Sequence, residues 1–153
     1  MKKIKLTQNK VALVDDEDYE FLNRWKWCVA KNRRIYYAKR TTLYSDGKRR
    51  MLYMHRLILG SRVGEEVDHK DGNGLNNQRS NLRLCTHSQN LANRAYNNKS
   101  GYRGVRKHGN KWEAKIGSNT LLDSYDTPEE AAIAFNKAAI EKYGEFARLN
   151  KEV

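Results

Sequence analysis

Residues 67–90 read VDHKDGNGLNNQRSNLRLCTHSQN, and no other stretch constrains the chain as tightly. An acid stands beside a histidine at the end of a short apolar step. If that step is a strand, Asp68 and His69 point to opposite faces of it. A run rich in Gly and Asn follows, which is ordinary turn chemistry. Asn81, twelve residues after His69, then opens a second apolar step, Leu82 and Leu84. Thr86 and Gln89 form a T-x-x-Q capping box, so a helix starts just after Thr86. Asn90, nine residues beyond Asn81, falls at the end of its first turn, where its amide oxygen can face back to Asp68. The segment predicts strand, loop, strand and helix.

These residue types suit hydrolysis of a phosphodiester with one metal ion. Asp68 offers a hard carboxylate oxygen of the kind Mg²⁺ or Mn²⁺ prefers, and His69 can take the proton from a water. The D-H pair, the Gly/Asn-rich loop, the N-L-R step and the final asparagine resemble the HNH family of ββα-metal nucleases, in the variant found among phage homing endonucleases. The resemblance implies a catalytic pair, His69 as general base and Asn81 as the brace of the loop. It implies Asp68 and Asn90 as the protein ligands of a single Mg²⁺ or Mn²⁺. Paired CxxC knuckles, common in that family, are absent: Cys28 and Cys85 are isolated, so no structural zinc is expected. His55, in MHRLIL, is open to two roles, support of the site from a neighbouring element or simple packing.

A formal net charge of +12, from 30 Lys+Arg against 18 Asp+Glu, calls for a polyanionic partner. Aromatic residues interleaved with that charge (Tyr36, Tyr37, Tyr53, Tyr102, Trp112) suit sugars and bases. A membrane partner is not expected, since no apolar run approaches the roughly 18 residues of a spanning helix. The opening residues do not read as a secretory leader, and the cysteines are isolated. A cytoplasmic protein is therefore expected.

The fold class expected is α+β, in two parts. Residues 1–95 form a β-rich support carrying the ββα-metal core. Within it, alternating apolar residues give two strands around a turn at Gln8 and Asn9, and Asp15 or Asp16 caps a helix running to Trp25. Further strands cover 27–30 and 35–43, and a hairpin turn at 45–47 leads to 49–53. Residues 55–59 read equally as strand end or short helix. Trp25 and Trp27 are assigned to the core. Residues 96–100, where periodicity disappears, form a linker, with Arg94 on an arm that lies along DNA.

Residues 101–153 predict three strands (101–107, 111–116, 120–125) and a helix over 128–143. Thr127 is its N-cap, Pro128 stands at N1, Glu130 completes a capping box and Gly144 ends it. Charge divides along this part. Residues 100–122 hold five Lys/Arg and one acid, whereas 123–153 hold four Lys/Arg and seven acids, so the sheet is basic and the helix side acidic. A small ribbon fits the major groove of B-form DNA. The YRGVRKHGNKWEAKI run, the DTPEEAAIAFNKAA helix and the closing ARLN resemble the AP2 DNA-binding domain over about fifty residues. That resemblance maps groove-reading positions onto Arg103 and Arg106. Lys115 and Gly117 stand where that family usually has a glutamate and an arginine, so the base sequence read does not carry over. The DNA-binding residues expected are Arg94, Arg103, Arg106, Lys107, Lys111, Trp112 and Lys115, with Trp112 open to a packing role instead.

The expected activity is site-specific cleavage of double-stranded DNA, without a small-molecule cofactor. One active site per chain favours a monomer that nicks, with oligomeric state undecided by sequence. The main rival is a DNA-binding regulator that keeps the nuclease fold as scaffold. A second rival, an RNA-binding protein, suits a groove-reading sheet less well.

Overall fold

Gln8 and Asn9, both at positive φ (58° and 53°), reverse the chain between β1 (Lys2–Lys5) and β2 (Val11–Val14). The computed structural model describes residues 1–94, 98–117, 120–151 and 153. It divides into two compact units, Met1–His87 and Ser88–Val153. The division falls earlier than the linker placed at 96–100, and residues 95–97 of the expected boundary region lie outside the described residues.

In the first unit, α1 (Asp16–Leu22) is shorter than its apolar pattern suggested. Asp15 occupies the N-cap position, yet its carboxylate makes no capping bond. It accepts instead from Gln78 Nε2 and the Arg79 N–H (3.2 and 2.8 Å), a long-range demand invisible to local reading. Trp25 lies beyond the helix end and packs against Phe21 and under the Arg40 guanidinium. Trp27 is in the core, with its indole N–H donating to Leu22 O at 2.8 Å.

Three antiparallel strands follow, β3 (Cys28–Asn32), β4 (Ile35–Leu43) and β5 (Arg49–Tyr53), in the order β3-β4-β5. The ambiguous 55–59 stretch is helical, as α2 (Met54–Leu59), ended by Gly60 in the left-handed region. The core collects Ile4, Val14, Leu22, Trp27 and Met54, all essentially removed from water. A further antiparallel pair joins β6 (Glu66–His69) to β7 (Leu82–Cys85), with Asp68 opposite Arg83 and His69 opposite Leu82. The α3 helix (His87–Asn93) begins directly after Thr86, where the capping pattern places it.

In the second unit β8 (Val105–His108), β9 (Lys111–Ile116) and β10 (Thr120–Tyr125) form an antiparallel sheet in the order β10-β9-β8. The first of these starts later than expected. Asn98 and Ser100 take up the carbonyls of Tyr102 and Val105 in a loop, and Gly104 has φ +71°. A Cβ at Gly104 would lie 2.2 Å from the Phe135 ring, so only glycine lets sheet and helix meet there. The α4 helix (Pro128–Tyr143) carries both halves of the capping box between Thr127 and Glu130. It buries Ala131, Ala132, Phe135 and Ala139 against Val105, Ala114 and Ile116. Small residues on that stripe allow the close approach. Among the described residues no helix is long and apolar enough to cross a membrane.

Candidate active site

The β6 strand ends in two buried polar residues, Asp68 and His69, each 5% exposed. A buried carboxylate requires compensation, and Arg83 supplies it from the paired position on β7. Its Nε and Nη2 both donate to Asp68 Oδ2, at 2.9 and 2.8 Å. The sequence reading did not single out Arg83. The signal was present, since antiparallel pairing of two steps ending at His69 and starting at Leu82 sets Asp68 across from Arg83.

Burial pulls the His69 imidazole below its ordinary pKa; the Asn77 amide and the carboxylates of Asp71 and Asp68 oppose that pull. The Asn77 side chain is wholly buried and makes no regular hydrogen bond, so its effect on His69 is exerted at poor geometry. The net result favours a neutral ring, the form able to accept a proton. His55, on α2, lies beside it, with ring centroids 5.0 Å apart at 84°. Its pKa is lowered to about 3, chiefly by burial and further by His69 and Arg56. The structure therefore brings His55 to the site, in a neutral and packed form.

Asn81 ends a 3₁₀ turn (Arg79–Asn81) and ties down the loop between the strands. Its Nδ2 donates to Asp71 Oδ1 and Asn76 O (3.0 and 2.8 Å), while its Oδ1 accepts from the Asp71 N–H at 3.1 Å. Burial alone would raise the Asp71 pKa. Hydrogen bonds from Asn76, the Asn73 N–H and Asn81 outweigh it and hold the carboxyl below its usual range. Arg79 anchors the same turn to α1 through a two-pronged contact with Asp18, at 2.9 and 2.8 Å.

Asn90 lies on α3, within the second unit. Among the described residues no three His, Cys, Asp or Glu side chains gather as a metal cage. The donors in question, one carboxylate and one amide oxygen, are hard. They fit an ion such as Mg²⁺ or Mn²⁺ that keeps most of its own waters. Cys85 does not offer a thiolate, because burial and the nearby Asp68 and Glu66 push its pKa up to about 11.

The second unit holds the residues expected to meet DNA. Strand alternation puts Arg106, Glu113 and Lys115 on one face and Lys107 with Trp112 on the other. Trp112 shares its face with Ala114 and Ile116 and packs with the helix-side cluster, which is the packing role of its two readings. Glu113 accepts from Arg106 Nε (2.8 Å) and contacts Lys115 Nζ (3.2 Å) and His108 Nδ1 (3.0 Å). These side chains, and not the core, cover it, and the Arg106 hydrogen bond leads in holding its pKa down. Lys111 pairs with the exposed Asp126. Arg103 takes a position that sequence did not anticipate: its guanidinium donates to the carbonyls of Arg94 and Leu91 at the end of α3, and its backbone N–H donates to Asn150.

Comparison with known proteins bears on the family. The profile of the family described as HNH endonuclease matches residues 52–92, from β5 through most of α3. An uncharacterized HNH endonuclease of Acanthamoeba polyphaga mimivirus is 33% identical over 147 residues, covering 92% of this chain and 74% of that protein. An AP2-like ethylene-responsive transcription factor of Arabidopsis thaliana is 46% identical over 61 residues, or 35% of this chain and 18% of that protein. A second ethylene-responsive transcription factor of that plant, WRI1, is 43% identical over 61 residues, 35% of this chain and 14% of its own length. By its match across the D-H hairpin and its likeness to the viral protein over most of both chains, the chain belongs to the HNH endonuclease family.

Proposed function

We propose that this chain is a homing-type DNA endonuclease that nicks double-stranded DNA as a monomer in the cytoplasm of a host cell. The observation that carries the reading is His69, a buried imidazole kept neutral at the end of β6 next to Asp68. In this account His69 accepts the proton of a water that attacks phosphorus in line with the departing 3′ oxygen. Asn81 holds the loop that seats His69, and Arg83 fixes the Asp68 carboxylate. Asp68 and Asn90 would hold one Mg²⁺ or Mn²⁺, and a bound ion of this kind supplies charge neutralisation at the phosphate oxygens.

The second unit is proposed as an AP2-like reader. The two plant relatives and the basic outer face of its sheet support this. Arg106, Lys111 and Lys115 would face the groove, with Lys107 and Arg94 on the backbone. Phosphate contacts of this kind position a protein, and base contacts specify where it stops.

One observation favours a second reading, a DNA-binding regulator using the nuclease fold as scaffold: Arg83 already provides Asp68 with a cation. Incubating purified protein with supercoiled plasmid, with and without Mg²⁺, separates the two. Mg²⁺-dependent nicked product supports the nuclease; retardation of the plasmid with no nicked product supports the regulator.

A further inference from the structure

The loop that follows His69 rests directly on β4. A Cβ at Gly74 would lie 2.5 Å from Tyr36 O and 2.6 Å from the Tyr37 ring, distances that no real side chain tolerates. The loop is also joined to β2, where the Leu13 N–H donates to Leu75 O and the Asn77 N–H to Leu13 O, both at 2.8 Å. Its seat is therefore fixed by two strands of the support, and Gly74 is the point of closest approach. Pressed by Gly74, the Tyr37 ring stands edge-on to His69 (centroids 5.8 Å apart, 60°) and to His55 (5.7 Å, 63°). His55 meets His69 at 5.0 Å and is itself stacked on Tyr53 at 5.4 Å and 23°. Tyr37 of β4 and His55 of α2 thus face the imidazole, and Tyr53 of β5 backs His55.

An imidazole has two unlike nitrogens, and a rotation of half a turn about its last torsion exchanges them. That torsion is soft, with two broad wells. A base that works on a particular water must hold one of the two, to within roughly 0.5 Å and about 10–20°. The rings packed against His69 bear directly on this choice.

We propose that Tyr37, seated by Gly74, is a positioning residue for His69: its ring blocks rotation of the imidazole and so sets which nitrogen is offered to water. This rests on the reading of His69 as the base. The hydroxyl of Tyr37 is not required; the ring is. Because Gly74 brings the loop against Tyr36 and Tyr37, an alanine there lifts the loop from β4 and loosens the same ring.

The test uses the full chain with Tyr37→Met, which fills volume without a ring, Tyr37→Phe and Gly74→Ala. Nicking of supercoiled plasmid in Mg²⁺ is resolved into kcat and KM. Imidazole nitrogen–proton spectra of His69 are recorded on the metal-free, DNA-free protein. Tyr37→Met is expected to lower kcat by roughly 10- to 100-fold with KM unchanged, the scale of a misplacement of about 1 Å. Its His69 signals should change from one ring orientation to two in exchange, and Gly74→Ala should move both readouts the same way. Tyr37→Phe should restore kcat and the single set of signals. A Tyr37→Met protein that nicks at the wild-type rate overturns the proposal, as does one that loses kcat while the His69 signals stay as they were. If Tyr37→Met fails to fold, Tyr37→Phe still decides: lost kcat with unaltered His69 signals would put the function in the hydroxyl and end the ring-lock account. Failure of the base assignment itself reads differently, as undiminished nicking by His69→Ala with the spectral effects of Tyr37→Met intact.

Discussion

Asp68 and Arg83 face each other across the β6–β7 hairpin, and both the Nε and Nη2 of the arginine donate to the same carboxylate oxygen. With the two side chains 5% and 11% exposed, the pair is buried, and removing one partner strands the other's charge. Arg83→Ala is therefore expected to destabilise the first unit by about 3–5 kcal/mol. Urea unfolding measures it. A loss below about 1 kcal/mol, the range of exposed pairs, would mean that water reaches Asp68 freely.

His69→Ala tests the chemistry separately from the scaffold. A neutral imidazole adds little to DNA affinity, whereas losing a general base typically lowers the rate by roughly 10² to 10⁴. Binding should stay near wild type while nicking collapses. Asp68→Asn, by contrast, should shift the Mg²⁺ response to higher concentration; an unchanged response curve would remove Asp68 from the ligand set.

His55 ties stability to pH. Its pKa is lowered in the fold to about 3 from an ordinary 6.5, so the unfolded chain binds the proton more readily. This residue's contribution is complete above pH 6.5 and is lost as pH falls toward 3, at up to about 1.4 kcal/mol per pH unit. The groups that bear on it are His69 and Arg56, both of which oppose its charge. His55→Gln should flatten the stability profile between pH 6 and about 4 relative to the wild type. Parallel profiles for the two proteins would show that His55 does not titrate in this way.

What could be read from sequence was local. The α4 cap and the start of α3 after Thr86 depend on residues within a turn of one another, and each stands where the pattern placed it. What escaped was contributed from a distance. Asp15 looked like a helix cap and was claimed by residues more than sixty positions later. Tyr37 looked like one aromatic among many basic residues; its place against His69 follows from the approach of a loop through Gly74, which no periodicity announces. Arg103 fitted a groove-reading motif, yet its guanidinium is bound to the end of α3.

That last contact yields its own prediction. Arg103 donates to the carbonyls of Leu91 and Arg94, and Arg148 donates from its backbone to Ala92 O and from its side chain to Asn93 O. Together they satisfy the last turn of the helix that carries Asn90. Replacing Arg103 by Ala should raise hydrogen exchange of the amides in 90–94 by about tenfold, equivalent to roughly 1.4 kcal/mol. Exchange rates equal to wild type would show that the helix end holds without it.

On the β8–β9 ribbon, Arg106 and Lys107 are neighbours in sequence and face opposite ways, Arg106 across from Glu113 and Lys107 across from Trp112. Glu113 gathers Arg106, Lys115 and His108 around one carboxylate, which aims the guanidinium fork and limits its freedom to clamp any phosphate within reach. If the sheet reads sequence, Arg106→Ala should cost about 1 to 3 kcal/mol on a preferred duplex selected from a random pool and relax choice at one position. Lys107→Ala should weaken preferred and scrambled duplexes alike and reduce the salt dependence by roughly one unit. Glu113→Gln separates aiming from charge. Removing an acid from a basic face should tighten binding to the scrambled duplex, while the loosened Arg106 weakens the preferred one, so discrimination narrows from both sides. Titrations at several salt concentrations decide it: if Glu113→Gln tightens both duplexes equally, the ribbon is an electrostatic platform and Glu113 aims nothing.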